Sequence, residues 1–224
     1  MSGLWWSKVI EFLSMHRLFL LLAVLWFAVG ALLMLLYSTD QLFFAINSLS
    51  HPVLDYVMIF FTFLGQGEYI ALFLALLLLI YPSLRTKEFL VELFLLIVML
   101  PLLNQGLKFY YNCPRPLTVY GEASVYTVGM LKSAYYKSFP SGHTLGAFSF
   151  FTMMSLLLPM SYRKWSVVFF LLPLGCAFSR IYLGQHFFLD VYVGSMIGVC
   201  VVCVVHVAMR MIKSKRIKSS VSQK

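Results

Sequence analysis

Charge is what this chain has least of. Of its 224 residues only 11% are charged, and eight are acidic. A soluble domain of this size carries about 25% charged residues, so a free water-soluble globule is excluded. Cysteine is scarce too. Cys113, Cys176, Cys200 and Cys203 make no paired extracellular framework. The C-x-x-C at Cys200 and Cys203 lies inside an apolar run with no βαβ context, which points to packing rather than redox or zinc chemistry. No short apolar stretch near the N-terminus is followed by a small-residue cleavage site, so the first apolar run is expected to be an uncleaved anchor. Internal repeats and low-complexity segments are lacking as well.

What the chain does have is apolar length. It is 61% hydrophobic with a mean hydropathy of +0.88, and Leu18 to Tyr37 contains no charged residue. Runs at 18–37, 66–82, 88–110, 142–160, 164–183 and 187–210 approach the roughly 20 residues a helix needs to cross a bilayer. The expectation is an all-α fold: one integral membrane domain over residues 1–224, a bundle of six transmembrane helices with a basic tail at 211–224. Pro52 to Leu64 is also apolar but runs into Gly65-Gln66-Gly67-Glu68, which predicts a short interfacial helix stopped by the glycines. A continuous span from Tyr56 to Pro82 would instead bury Glu68, at about 2.5–3.5 kcal/mol.

The net charge of +9 does not indicate nucleic acid, because its placement follows the membrane. Lys8 and Arg17 precede the first span, Arg85 and Lys87 follow the second, and Arg163 and Lys164 follow the fourth. Arg210, Lys213, Lys215, Arg216, Lys218 and Lys224 follow the sixth. That is twelve of the 17 basic residues on one side, which the positive-inside rule makes cytoplasmic. Both termini are then cytoplasmic. Lys108, Arg115, Lys132, Lys137 and Arg180 are left on the outer side, with the long connection from Tyr111 to Ser141. A loop of that length usually serves a function.

Three polar clusters fall at the outer ends of these spans. His186 and Asp190 are spaced i, i+4 and share a helix face, where a carboxylate fixes the tautomer of an imidazole and leaves its other nitrogen free to attack. Pro140-Ser141-Gly142-His143 opens the fourth span. A helix N-terminus there offers unpaired N–H groups to an anion, and His143 is placed to move a proton. Lys108, Arg115 and Arg180 add three cations, and arginine grips phosphate oxygens in pairs. Each cluster alone also reads as a cap, a surface group or a snorkelling side chain.

In order they read K-x6-RP, PSGH and SR-x5-H-x3-D, and on these motifs the chain resembles the type-2 phosphatidic acid phosphatase superfamily, the membrane lipid phosphatases related to vanadium haloperoxidases. Every motif position is filled: Lys108, Arg115, Pro116, Pro140, Ser141, Gly142, His143, Ser179, Arg180, His186 and Asp190. The resemblance implies that His186 attacks phosphorus to give a phosphohistidine, that Asp190 orients it, and that His143 serves the leaving oxygen and then water. It implies that Lys108, Arg115, Arg180, Ser141 and Gly142 hold the phosphoryl group, with no metal and no cofactor. The substrate would be a lipid phosphate in a bacterial inner membrane, met at the periplasmic face, with undecaprenyl pyrophosphate ahead of phosphatidylglycerophosphate, phosphatidic acid or lipid A. A lipid phosphotransferase shares the covalent step. A vanadate haloperoxidase or a non-catalytic lipid-binding or transport protein fits less of the pattern.

Among the remaining polar residues, His51 and His206 are expected to be structural and His16 to be a cytoplasmic interfacial residue. Glu68 is expected to cap its helix, and Glu88 and Glu92 to pair with Arg85 and Lys87 at the surface. Asn104 and Gln105 are placed to line the cavity floor.

Overall fold

The computed structural model describes residues 2–129 and 135–221; Lys132 and Lys224 lie outside them. Nine α-helices form among the described residues. Helix α1 (Ser2–Leu36) is broken at His16, where φ is −115° and ψ 19°. Helix α2 (Thr39–Asn47) starts from a capping box, with the Gln41 amide donating to Ser38 Oγ and Ser38 N–H to Gln41 Oε1. Helix α3 (Pro52–Phe63) has Pro52 in its first turn and His51 as its cap. It meets α2 at 114°, and the break expected at Gly65 separates it from α4 (Gly67–Ile80). Helix α5 (Lys87–Tyr111) ends at Asn112 in the left-handed region, φ 41°. A short α6 (Pro116–Tyr120) sits in the long connection. Helices α7 (Gly142–Leu157), α8 (Ser166–Tyr182) and α9 (Phe188–Val221) complete the chain.

Four segments are long and apolar enough to cross a bilayer: Ser14–Leu36, Lys87–Tyr111, Ser161–Tyr182 and Phe188–Ser214. The other two expected spans are shorter. The 14 residues of α4 and 16 of α7 reach about 21 and 24 Å, against a hydrocarbon core of about 30 Å. The short helix expected at Pro52–Leu64 is present as α3, bent against α2, and it packs on α8. There the Phe61 ring fills the space left open by Gly175.

Helix α7 is the central post and packs on α9 and α8, with α4 and α5 on its other flank. Close approach of α7 and α9 needs Gly194 and Gly198, four residues apart on one face. A side-chain carbon on either would stand 2.8 Å from the carbonyl oxygen of Ser141 or Leu145. In a bilayer such small-residue seams let backbones meet and dispersion hold them. One apolar cluster joins α1, α2, α7, α8 and α9 through Phe19, Phe43, Phe148 and Phe170; a second joins α5, α7 and α9 through Leu93, Leu96, Leu145 and Val202. No residue of α4 is buried, so that helix lies at the rim of the bundle.

The end of the bundle opposite the three motifs corrects two expectations. Glu92 is not a surface partner of Arg85 or Lys87: it is buried and bonds His206, Nδ1 to Oε1 2.8 Å. His16, expected at the interface, is buried beside them, its ring 6.4 Å from that of His206. Arg85 instead donates to the Leu78 carbonyl at 2.7 Å.

At the end that carries the three motifs, the described part of the long connection is folded down onto the bundle. Asn47 donates to the carbonyls of Tyr126 and Tyr182 at 2.9 and 2.8 Å and accepts from the Tyr126 N–H at 2.9 Å. Asp55 accepts from both phenols, Tyr126 at 2.8 Å and Tyr182 at 2.7 Å. Carboxylate contact holds the Tyr126 phenol up at about 12, so this clasp stays protonated through the physiological range. Tyr120 donates to Asp40 in the same manner.

Candidate active site

His186 is presented by a turn rather than by a helix. After α8 the N–H groups of Gln185 and His186 both return to the Arg180 carbonyl, at 3.0 and 3.1 Å. Gly184 allows that turn with φ at 68°. The imidazole is 1% exposed, with Nδ1 3.4 Å from Asp190 Oδ2. Asp190 is itself anchored: its Oδ2 accepts from the Phe187 N–H at 2.9 Å and from the Ser138 hydroxyl. Burial and the nearby Arg115, Arg180 and Lys108 hold the His186 imidazole well below its ordinary value. It is therefore neutral at pH 7, with Nε2 free when Nδ1 faces the carboxylate.

The cations reach the same place from three elements. Lys108 comes from the last turn of α5 and donates to the Lys137 carbonyl at 2.8 Å. Arg115, before α6, donates through Nε to the Tyr136 carbonyl at 3.0 Å and through Nη1 to the Gln185 carbonyl at 3.1 Å. Arg180 is 5% exposed. Its Nη1 donates to Thr62 Oγ1 at 2.7 Å, and its Nε is buried without a partner. All three act electrostatically on both His186 and His143.

The opening of α7 is fixed to the start of α9, since the Ser141 N–H donates to the Asp190 carbonyl at 3.0 Å. The Ser141 hydroxyl serves as the helix cap, 3.4 Å from the Thr144 N–H and 3.0 Å from its hydroxyl. Gly142 has Asn104 against it: a side-chain carbon there would stand 2.9 Å from Asn104 Nδ2. Gly65 lies directly under the His143 carbonyl, leaving no room for a side chain.

From Gly142 and His143 a cavity of about 720 Å³ runs down between α4, α5 and α7. Asn104 and Gln105 line it, as the sequence predicted, and Gln66 and Glu68 line it from the α4 side. The rest of its wall is mostly apolar. Every site residue named from the sequence thus belongs to one end of the bundle. Thr62, Ser138 and Gln185 join them without having been anticipated. Ser138 and Gln185 adjoin the motifs, whereas Thr62 lies in an apolar run with no local signal.

Known proteins resemble this chain in sequence and in fold. Residues 89–214 match the family model described as the PAP2 superfamily. The chain belongs to that superfamily. It is 31% identical over 161 residues to undecaprenyl-diphosphatase BcrC of Bacillus subtilis, covering 70% of this chain and 76% of that one. Among solved structures, LpxE of Aquifex aeolicus superposes with a TM-score of 0.62 at 33% identity, covering 74% of this chain and 92% of that one. A PAP2-type phosphatidylglycerolphosphate phosphatase from Bacillus subtilis has the same fold, TM-score 0.62 at 24% identity, with 87% and 94% covered. The matched family region starts within α5, so α1 to α4, and with them Thr62 and Gly65, lie outside it.

Proposed function

We propose that this PAP2 protein removes the terminal phosphate from a membrane lipid phosphate or pyrophosphate at the extracytoplasmic face, through a phosphohistidine and without a metal. The observation that carries the proposal is the convergence of His186–Asp190, His143 and three cations, with His143 also lining a mostly apolar cavity. The positive-inside distribution of charge supports an outward-facing site. The mostly apolar walls suit the lipid chain, and the cations suit the phosphate.

In the first step the lone pair of His186 Nε2 forms the N–P bond as the bond to the leaving oxygen breaks. His143, its protonated form favoured by the adjacent dianionic phosphate, gives that oxygen a proton. Water then passes a proton to His143 and attacks phosphorus. The N–P bond breaks, and inorganic phosphate leaves. Lys108, Arg115 and Arg180 stabilise the equatorial oxygens, the task that Mg²⁺ performs in kinases. Asp190 holds the imidazole tautomer, and Ser138 holds Asp190.

The test is phosphate release by the purified protein from a panel of lipid phosphates and pyrophosphates in EDTA. Wild type is expected to turn over at least one of them and His186→Ala none, with vanadate inhibiting as a mimic of five-coordinate phosphorus. Full activity of His186→Ala would remove the nucleophile assignment. Activity abolished by EDTA and restored by a divalent cation would remove metal independence.

A further inference from the structure

Lys137 is a basic residue that none of the three motifs accounts for. It stands in the middle of a segment that touches the site at each residue. The Tyr136 carbonyl accepts from Arg115 Nε at 3.0 Å, the Lys137 carbonyl accepts from Lys108 Nζ at 2.8 Å, and the Ser138 hydroxyl donates to Asp190. The segment is tied down at both ends. The Arg115 N–H donates to the Tyr135 carbonyl at 2.8 Å, and the Ser138 N–H donates to the Cys113 carbonyl at 3.0 Å. Lys108, Arg115 and the carboxylate beside His186 are therefore all set by one short stretch of chain.

Lys137 adopts the left-handed region, with φ at 59°, where a side-chain carbon crowds the backbone and glycine fits without strain. Something must hold a lysine there. It takes no part in the ion pairs among the described residues. Its Nζ stands instead 3.8 Å from the centroid of the Phe109 ring, a cation–π contact. Phe109 follows Lys108 on α5. Lys137 thus grips two consecutive residues of one helix, the ring with its side chain and the Lys108 ammonium with its carbonyl. A change of φ and ψ at Lys137 would disturb both contacts together.

We propose that Lys137 is a positioning residue for phosphoryl transfer. Its ammonium, seated on Phe109, latches the left-handed turn whose carbonyl aims Lys108 at the phosphoryl oxygens. Lys137 acts through Lys108 and touches no reacting atom. The Lys108 ammonium has donors to spare, so fixing one on the carbonyl leaves the others to face phosphate and removes the freedom of a long, flexible stem. Placement matters because a donor stabilises the transition state only where charge develops. The inference rests on the phosphatase reading and adds to it a residue outside the family's motifs.

The experiment measures phosphate release by the full-length protein in mixed micelles. The probe is whichever of phosphatidic acid, phosphatidylglycerophosphate and undecaprenyl pyrophosphate wild type turns over fastest. Lys137→Met keeps the length and loses the ammonium, and kcat is expected to fall on the order of tenfold with KM little changed. Phe109→Leu keeps the ammonium and loses the ring, and the same fall is expected. The double variant should be no slower than either single one, as a shared contact requires. Lys137→Arg, which also stacks on a ring, should restore most of the rate. Lys137→Gly should be as slow as Lys137→Met yet melt close to wild type, because glycine suits the left-handed backbone. A melting temperature that fell in step with the rate would make the role structural and overturn the proposal. Phe109→Leu at the wild-type rate, losses that multiply in the double variant, or Lys137→Arg as slow as Lys137→Met would overturn it too, leaving the phosphatase intact. No turnover of any of the three lipids by wild type removes the phosphatase reading and the latch with it.

Discussion

Thr62→Val isolates the most unexpected contact in the site. Thr62 is 2% exposed and its Oγ1 accepts from Arg180 Nη1 at 2.7 Å. Valine has nearly the same shape, so no cavity opens, but the acceptor is lost beside a buried guanidinium whose Nε is already unpartnered. Leaving a buried donor unsatisfied costs about 1–3 kcal/mol, with charged donors at the upper end. Where that cost falls on the placement of Arg180 against the phosphoryl oxygens, each 1.36 kcal/mol is tenfold in rate. A loss of about 10- to 100-fold in kcat/KM is expected, with Thr62→Ser close to wild type because its hydroxyl remains. The assay is phosphate release in detergent, alongside a thermal melt of each variant. If Thr62→Val kept kcat/KM within twofold of wild type at unchanged melting temperature, Thr62 would not position Arg180. If Thr62→Ser were as impaired as Thr62→Val, the methyl group rather than the hydroxyl would be what matters.

Ser138→Ala removes the hydroxyl donor to Asp190 but leaves the Phe187 N–H in place. A fall of about tenfold in kcat with little change in KM is expected in steady-state phosphate release. Acid should unmask the depressed His186. Its imidazole stays neutral below the ordinary value of about 6.5, so the nucleophile is lost only as pH falls through its lower folded value. Below about pH 6.5 the unfolded chain takes up a proton that the folded imidazole refuses, so this group makes stability fall with acidification. Melting temperature measured from pH 7.5 to 5 should drop less steeply in His186→Asn than in wild type.

The parts of the site legible in the sequence were those fixed by short spacing at helix ends. His186 and Asp190 share a face by i, i+4, and Pro140-Ser141-Gly142-His143 marks a helix start by its cap chemistry. What escaped was chemistry made by packing between distant segments. Glu92 looked like a surface residue because Glu88, Arg85 and Lys87 are its sequence neighbours. Its helical face turns inward to His206, 114 residues away. Helix α2 was missed because a nine-residue helix shows little apolar period, although Ser38 and Gln41 did carry its capping box. The Ser141 hydroxyl, assigned to phosphate, is also the cap of α7.

The same distinction explains why the α2–α3 pair matters to catalysis although the family match begins beyond it. A guanidinium alone does not define a phosphate site, because five N–H donors must be oriented by something rigid. Here α8 supplies Arg180 and α3 supplies the acceptor that turns it. Gly65, at the end of α3, meanwhile lets the chain pass directly under His143. Asp55 on α3 also holds the two tyrosines that clasp the outer connection, the same connection whose carbonyls orient Lys108 and Arg115. One short helix and the glycine that ends it thus touch the supports of all three cations and the backbone of His143. A change that loosens α3, such as Asp55→Asn, should therefore reach the site through several routes at once, and lower kcat/KM although no reacting group has been altered.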